Sequence, residues 1–95
     1  MLTPKNKALL KRLANPLSPS LTVGKGEVDE KLAETVSKAL LAHELIKVKV
    51  LPNQPKSLTV IAQELAKKTD SEVVEVIGRI VILYKKNQEK PVIVL

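Results

Sequence analysis

The 95-residue sequence contains no cysteine, tryptophan or phenylalanine, and Tyr84 is its single aromatic residue. Without cysteine the chain forms neither disulfides nor cysteine-ligated metal sites, and this absence favours a reducing compartment. His43 is the single histidine, and one imidazole alone supplies neither a metal site nor a catalytic triad, so a place at the end of a helix suits it better. The shortage of aromatic residues also excludes a sheet that stacks RNA bases on aromatic side chains.

Long apolar runs are also missing. No stretch is long enough to span a bilayer, and no leader-like segment stands at the N-terminus, so we expect a cytoplasmic protein without a membrane partner.

The length predicts a single domain over residues 1–95. Nucleophile, base and oxyanion donors cannot be assembled from these residue types, so we expect no catalytic residues, no metal and no cofactor.

Positive charge is in excess. Sixteen Lys or Arg residues against ten Asp or Glu residues give a net charge of +6, which attracts phosphate polymers or anionic surfaces. Residues 1–26 carry no acid at all. A helix predicted there has a purely basic polar face, formed by Lys5, Lys7, Lys11 and Arg12.

Hydrophobic periodicity predicts seven elements. Helices are expected at about 4–14, 27–43 and 58–68, and strands at about 21–23, 46–50, 73–77 and 80–84. Thr3 and Ser57 are predicted helix caps. Gly78 and Arg79 separate the last two strands, which predicts a hairpin with a positive φ at Gly78.

This order of elements, helix-strand-helix-strand-helix-strand-strand, predicts an α/β fold of the two-layer α+β type with a four-stranded mixed sheet. The two helical crossovers predict parallel pairings, and the hairpin adds an antiparallel one. The last strand is apolar on both faces, so we place it centrally. Residues 91–95 are expected to form an edge strand or a tail laid on the body.

Two further features are candidate phosphate contacts. Gly24, Lys25 and Gly26 precede the second helix, where backbone N–H groups and the Lys25 ammonium can hold a phosphate; alternatively, the glycines only permit a tight turn. Lys47 and Lys49 project from one face of the second strand. They either contact a ligand or form an ordinary solvated face.

These residues also suggest a family. The segments that carry the resemblance are Leu10, Lys11, Leu13, Ala14, Pro16, Leu17 and Pro19, the Gly24 loop, the run 43–50, and residues 76–79 with 83–85. In these the sequence resembles the CRM domain (chloroplast RNA splicing and ribosome maturation), in particular its small stand-alone prokaryotic members of the YhbY type. The resemblance implies a fold similar to the C-terminal domain of translation initiation factor three. It also implies RNA binding and association with precursor large ribosomal subunits or, as in plant relatives, intron splicing.

The family pattern places Gly-x-x-Gly in the loop before the second helix, in a role related to the backbone-clamping loop of KH domains. Here Glu27 stands where the second glycine belongs. A carboxylate opposes a phosphate, so the loop function is carried to Gly24, Lys25 and Gly26 and not to Glu27. The predicted RNA-binding residues are Lys5, Lys7, Lys11, Arg12, Gly24, Lys25, Gly26, Lys47, Lys49 and Arg79.

RNA binding, with ribosomal RNA or a precursor large ribosomal subunit as the partner, is therefore the leading hypothesis. The second is a protein-interaction or dimerising module, because the apolar residues Val92 to Leu95 could pair with an edge strand of another copy in a weak homodimer.

Overall fold

A computed structural model of the chain describes residues 2–24, 28–52 and 54–95. Within these ranges it contains three helices and four strands. They are α1 (Pro4–Ala14), β1 (Leu21–Val23), α2 (Glu30–His43), β2 (Leu45–Val50), α3 (Leu58–Thr69), β3 (Glu72–Ile77) and β4 (Ile80–Tyr84). The predicted order of elements is confirmed.

Each helix begins at a side-chain cap. The Thr3 hydroxyl accepts a hydrogen bond from the Asn6 N–H at 3.1 Å, and the Ser57 hydroxyl accepts one from Val60 at 3.3 Å, so both predicted caps are confirmed. The Asp29 carboxylate accepts the Leu32 N–H at 2.8 Å. Asp29 is therefore the cap of α2 rather than a member of its first turn, and the helix begins later than expected.

The sheet is mixed, with the strand order β1-β2-β4-β3. β1 and β2 are parallel, and β4 is antiparallel to both of its neighbours, β2 and β3. The central position predicted for β4 is confirmed. The expected parallel pairing across the α3 crossover is wrong, because β4, which is apolar on both faces, lies between β2 and β3 and hydrogen-bonds to each.

The two faces of the sheet are covered by different helices. Ile46, Val48 and Val50 of β2 point into the main core with residues of α2 and α3. Leu45 of the same strand points to the other face, where Leu10 and Ala14 of α1 cover a smaller core. The two-layer arrangement thus holds for α2, α3 and the sheet, while α1 forms a short third layer opposite them.

One end of the sheet carries the β3–β4 turn, and we call it the turn end. The C-terminal ends of β1 and β2 also lie there, because Val23 pairs with Val50 and the Val50 N–H donates to the Arg79 carbonyl at 2.8 Å. The chain from Gly24 leaves the sheet at this end.

The C-terminal segment, residues 85–95, follows β4 without forming a strand. Of the two alternatives expected for residues 91–95, an edge strand or a tail laid on the body, the structure has the tail. The buried side chain of Glu44 binds it: one carboxylate oxygen accepts the N–H groups of Val92 and Ile93, and the other accepts that of Asn87, each at 2.7 Å. The Glu44 carbonyl also accepts the Lys85 N–H at 2.9 Å. Both ends of this segment are therefore tied to one residue.

Gly78 has the predicted positive φ, +57°, and a Cβ added there would meet open space. Replacing Gly78 by valine should therefore cost stability through backbone strain alone, by more than about 1 kcal/mol. Thermal unfolding measures the loss. The control is Gly24→Val, since Gly24 also has open space around it but no positive φ. Equal melting temperatures for the two variants would contradict the strain at Gly78.

Candidate nucleic-acid interface

The outer surface of α1 is basic and open. Leu10 and Ala14 are fully buried against the sheet, which turns the opposite side of the helix to solvent. Lys5 and Arg12 are exposed there. Lys7 is exposed as well, although its spacing places it beside the buried side of the helix. None of the three forms an ion pair with any other residue that the structure describes.

Lys11 differs from the other three cations of α1. Its ammonium lies 3.3 Å from a carboxylate oxygen of Glu75 on β3, and both side chains are partly exposed. The prediction that the helix presents four cations without a neutralising acid is therefore wrong at Lys11. The acid is distant in sequence and reaches α1 only because this helix packs across β3.

Lys47 and Lys49 share a face of β2 but differ in surroundings. The Lys47 ammonium donates to the carbonyl oxygens of Asn15 at 3.3 Å and Leu17 at 3.0 Å. Lys47 thereby fixes the connection between α1 and β1, and we remove it from the predicted RNA-binding set. Lys49 is exposed and forms no ion pair with the described residues, so it stays a candidate contact.

Lys49, Arg79 and Gly24 meet at the turn end. Lys49 pairs with Ile80, the residue after Arg79, and Arg79 is exposed in the turn itself. The Gly24 carbonyl accepts the Gln54 side-chain N–H at 2.6 Å, which anchors the start of the loop to the chain beyond β2. Because Gly24 does not adopt a positive φ, a tight turn does not require glycine at this position. Lys25, Gly26 and Glu27 lie outside the described residues.

The opposite face has a different charge pattern. Three lysines of α2, α3 and the connection before α3 are paired with acids: Lys38 with Glu34, Lys68 with Glu30, and Lys56 with Glu64. Lys31 and Lys67 are exposed and form no ion pair with the described residues. Lys67 and Lys68 belong to α3, which lies on the face of the sheet opposite α1. Among the described residues, five exposed cations without an acid partner thus lie on the α1 side of the sheet and at the turn end, against two on α2 and α3.

The remaining candidates are structural. Tyr84 is buried in the core beneath α1, where burial, together with the charges of Glu44 and Glu72, raises the pKa of its hydroxyl. His43 is the exposed last residue of α2, as predicted.

No group of three His, Cys, Asp or Glu side chains in the described ranges could hold a metal ion. None of the described helices has the length and apolar character that a membrane span needs.

Sequence reasoning missed the role of Glu44. The signal was present, because Glu44 is a lone acid placed directly between a helix and the apolar run of β2. A carboxylate in that position is rarely buried unless several donors bind it. Its partners, however, come from backbone N–H groups more than 40 residues away, and backbone donors leave no mark in a sequence.

Comparison with known proteins gives a consistent result. The family model of the CRS1 / YhbY (CRM) domain matches residues 2–85. The Bacillus subtilis protein named "Probable RNA-binding protein YqeI" is 40% identical over 89 residues, which cover 94% of this chain and 93% of that protein. A Haemophilus influenzae protein named "RNA-binding protein" is 34% identical over 88 residues, or 93% of this chain and 89% of that protein.

A solved structure resembles the whole fold. The solution structure of the hypothetical protein SAV1595 from Staphylococcus aureus superimposes with a TM-score of 0.84 at 37% sequence identity. The match covers 100% of this chain and 99% of that one.

Proposed function

The chain belongs to the CRS1 / YhbY (CRM) domain family, and from this premise we propose that it binds structured RNA through one continuous basic surface. We call this the α1/turn-end surface. It consists of Lys5, Lys7 and Arg12 on α1 with Lys49, Arg79 and Gly24 at the turn end, and the loop residues Lys25 and Gly26 are assigned to it from the sequence. Lys11 belongs to its margin, where RNA phosphate competes with Glu75 for the ammonium.

The observation that carries the proposal is the asymmetry of free charge. On the α1 side, five cations are exposed and unpaired within the described residues, namely Lys5, Lys7, Arg12, Lys49 and Arg79. Of the four lysines of α2 and α3, Lys38 and Lys68 are paired with acids, and only Lys31 and Lys67 form no ion pair within the described residues. A polyanion binds most favourably to cations that are not already paired with a carboxylate, because no ion pair has to be broken first. It should therefore bind the α1 side.

The mode of binding follows from what this surface contains. It offers ammonium and guanidinium groups, and the chain's one aromatic ring is buried. Recognition should therefore rest chiefly on the phosphate backbone and on the shape of a folded RNA rather than on aromatic stacking. The chain as a whole acts in this proposal as one RNA-binding domain without catalysis.

The partner we propose is ribosomal RNA in a precursor of the large subunit, encountered in the cytoplasm. The support is the family membership together with the names of the relatives, which describe RNA-binding proteins. Intron RNA is the alternative within the same class. Both are folded RNAs, and the surface described above does not favour one of them.

A weak homodimer through residues 92–95 is the second candidate, and it stays a prediction. Val92 and Val94 are 77% and 86% exposed, which leaves apolar side chains free for a partner. However, the backbone N–H groups of Val92 and Ile93 already donate to Glu44. These two residues therefore have fewer free backbone groups for pairing with an edge strand than the sequence indicated.

Crosslinking in cells followed by sequencing of the bound RNA tests the proposal. We expect crosslinks concentrated in large-subunit ribosomal RNA, carried by peptides from α1 and the turn end. Crosslinks concentrated in introns would instead identify intron RNA as the partner and indicate a role in splicing. No enrichment over a variant in which Lys5, Lys7 and Arg12 are glutamine would contradict RNA binding by this surface.

A further inference from the structure

Four residues lie side by side across all four strands at the turn end. Thr22 pairs with Lys49, Lys49 pairs with Ile80, and Ile80 pairs with Ile77. Their neighbours in each strand point into the main core under α2 and α3, so these four point to the face that carries α1. We call them the turn-end row. Adjacent strands are about 4.8 Å apart, which makes the row about 14 Å wide.

Helix α1 leaves this row largely uncovered. Leu10 and Ala14 of the helix pack with Leu45, Ile82 and Tyr84, which lie farther from the turn. Ile80 is partly buried at the edge of that cluster, whereas Thr22 and Lys49 are exposed and Ile77 is 54% exposed. The row therefore presents aliphatic side chains to solvent beside the Lys49 ammonium, with the Arg79 guanidinium in the adjoining turn.

A single exposed isoleucine is common on protein surfaces and needs no explanation by itself. Here the aliphatic pair stands beside two unpaired cations, Lys49 on the neighbouring strand and Arg79 in the turn, within the surface to which RNA binding is assigned. We propose that the turn-end row binds an unpaired nucleotide of the RNA, with Ile77 and Ile80 against the base and Lys49 and Arg79 on the neighbouring phosphates. This inference rests on the proposed function and specifies which part of a folded RNA reaches the sheet.

An unpaired nucleotide fits better than a duplex. In a double helix the faces of the bases are stacked inside, so aliphatic side chains gain nothing from them, whereas a loop or bulge can turn a base face outward. Contact between that face and Ile77 removes apolar surface from water on both sides. The flanking cations favour a nucleotide over an apolar protein segment, which would bury Lys49 and Arg79 without supplying a counter-charge.

Binding should be compared for two RNAs that carry the same number of phosphates: a hairpin with an unpaired loop, and a blunt duplex. The variants are Ile77→Ser and Ile77→Thr, of which the second retains the β-branched shape that suits a strand. The matched control is Val60→Ser, because Val60 is 42% exposed on α3, on the opposite face. Melting temperatures verify that every variant is folded.

We expect both Ile77 variants to lose about five- to tenfold in affinity for the hairpin and less than about twofold for the duplex, and the control to match the wild type on both RNAs. Equal losses on the two RNAs, or no loss on either, would overturn the turn-end row as a nucleotide site while leaving the proposed function intact. Wild-type protein that binds neither RNA would overturn the proposed function as well. An acidic, valine-containing peptide that binds the wild type as tightly as the hairpin does, and fails to bind Ile77→Ser, would make the row a protein-docking site.

Discussion

Replacing Glu44 by glutamine should lower the free energy of unfolding by about 2 to 3 kcal/mol. The side chain is only 1% exposed, and its two oxygens accept three backbone N–H groups from residues 87, 92 and 93. Glutamine has the same shape but retains one acceptor oxygen and adds an NH₂ group. That group would face a donor, and at least one buried N–H would lose its partner.

The backbone conformation of Glu44 also indicates that the hydrogen bonds of this residue stabilise the fold. Its φ is +61°, and it is one of two non-glycine residues with a positive φ in the described part of the chain. Such a conformation costs of order 1 kcal/mol or more in a residue with a side chain. Contacts that are worth more than this strain must hold the residue there, and the hydrogen bonds to the C-terminal segment supply them.

The stability that Glu44 contributes should depend on pH. Burial raises the pKa of the carboxyl group, but the N–H groups of Asn87, Ile93 and Val92 and the charge of Lys86 outweigh burial, and the pKa lies below its ordinary value of 4.5. A pKa that is lower in the folded than in the unfolded state means that the contribution is complete above the ordinary value and is lost as pH falls below it.

The melting temperature of the wild type should therefore exceed that of Glu44→Gln at pH 7, and the gap should narrow as pH falls below about 4.5. Glu34→Gln is the control, because Glu34 is exposed and, among the described residues, forms only a helical ion pair with Lys38, worth a few tenths of a kcal/mol. A gap that stays constant down to pH 3, or a loss no larger than that of the control, would contradict the role given to Glu44.

The second large effect concerns the basic surface of α1. Replacing Lys5, Lys7 and Arg12 together by glutamine should lower affinity for folded RNA by about tenfold or more at moderate salt. The loss should be similar for RNAs of different sequence, because phosphate contacts carry no sequence information. The slope of log K against log salt should become less steep by up to about three units, since each lost phosphate contact removes about one.

The control for this variant removes the same charge from the other face. Lys31, Lys38 and Lys67 are exposed on α2 and α3, and their replacement by glutamine also removes three positive charges. We expect this control to retain most of the wild-type affinity and slope. If both triple variants weaken binding equally, the protein uses its net charge diffusely, and the α1/turn-end surface is not a site.

Local signals in the sequence were sufficient for most of the fold. Thr3 and Ser57 cap helices through contacts within three residues, and Gly78 marks a hairpin whose strands are adjacent in sequence. The apolar character of β4 on both faces placed it correctly in the centre. These features could be predicted because each depends on neighbours along the chain or on burial alone.

Features that depend on contacts between distant segments could not be predicted. Alternation in β2 placed Lys47 and Lys49 on one face, but only the packing of α1 decides that Lys47 binds carbonyl oxygens while Lys49 stays free. The pairing of Lys11 with Glu75 has the same cause. A count of charges along α1 therefore overestimated how many of its cations are free of a neutralising acid.

The measurement that tests the central claim most directly is an NMR titration of the isotope-labelled protein with an RNA hairpin at low salt. We predict that the largest chemical-shift changes occur in the backbone amide signals of residues 5–12 of α1 and of the residues around Lys49 and Arg79. The amide signals of Lys67 and Lys68 on α3 should not shift. Shifts centred on α2 and α3, or no shifts at saturating RNA, would contradict RNA binding by the α1/turn-end surface.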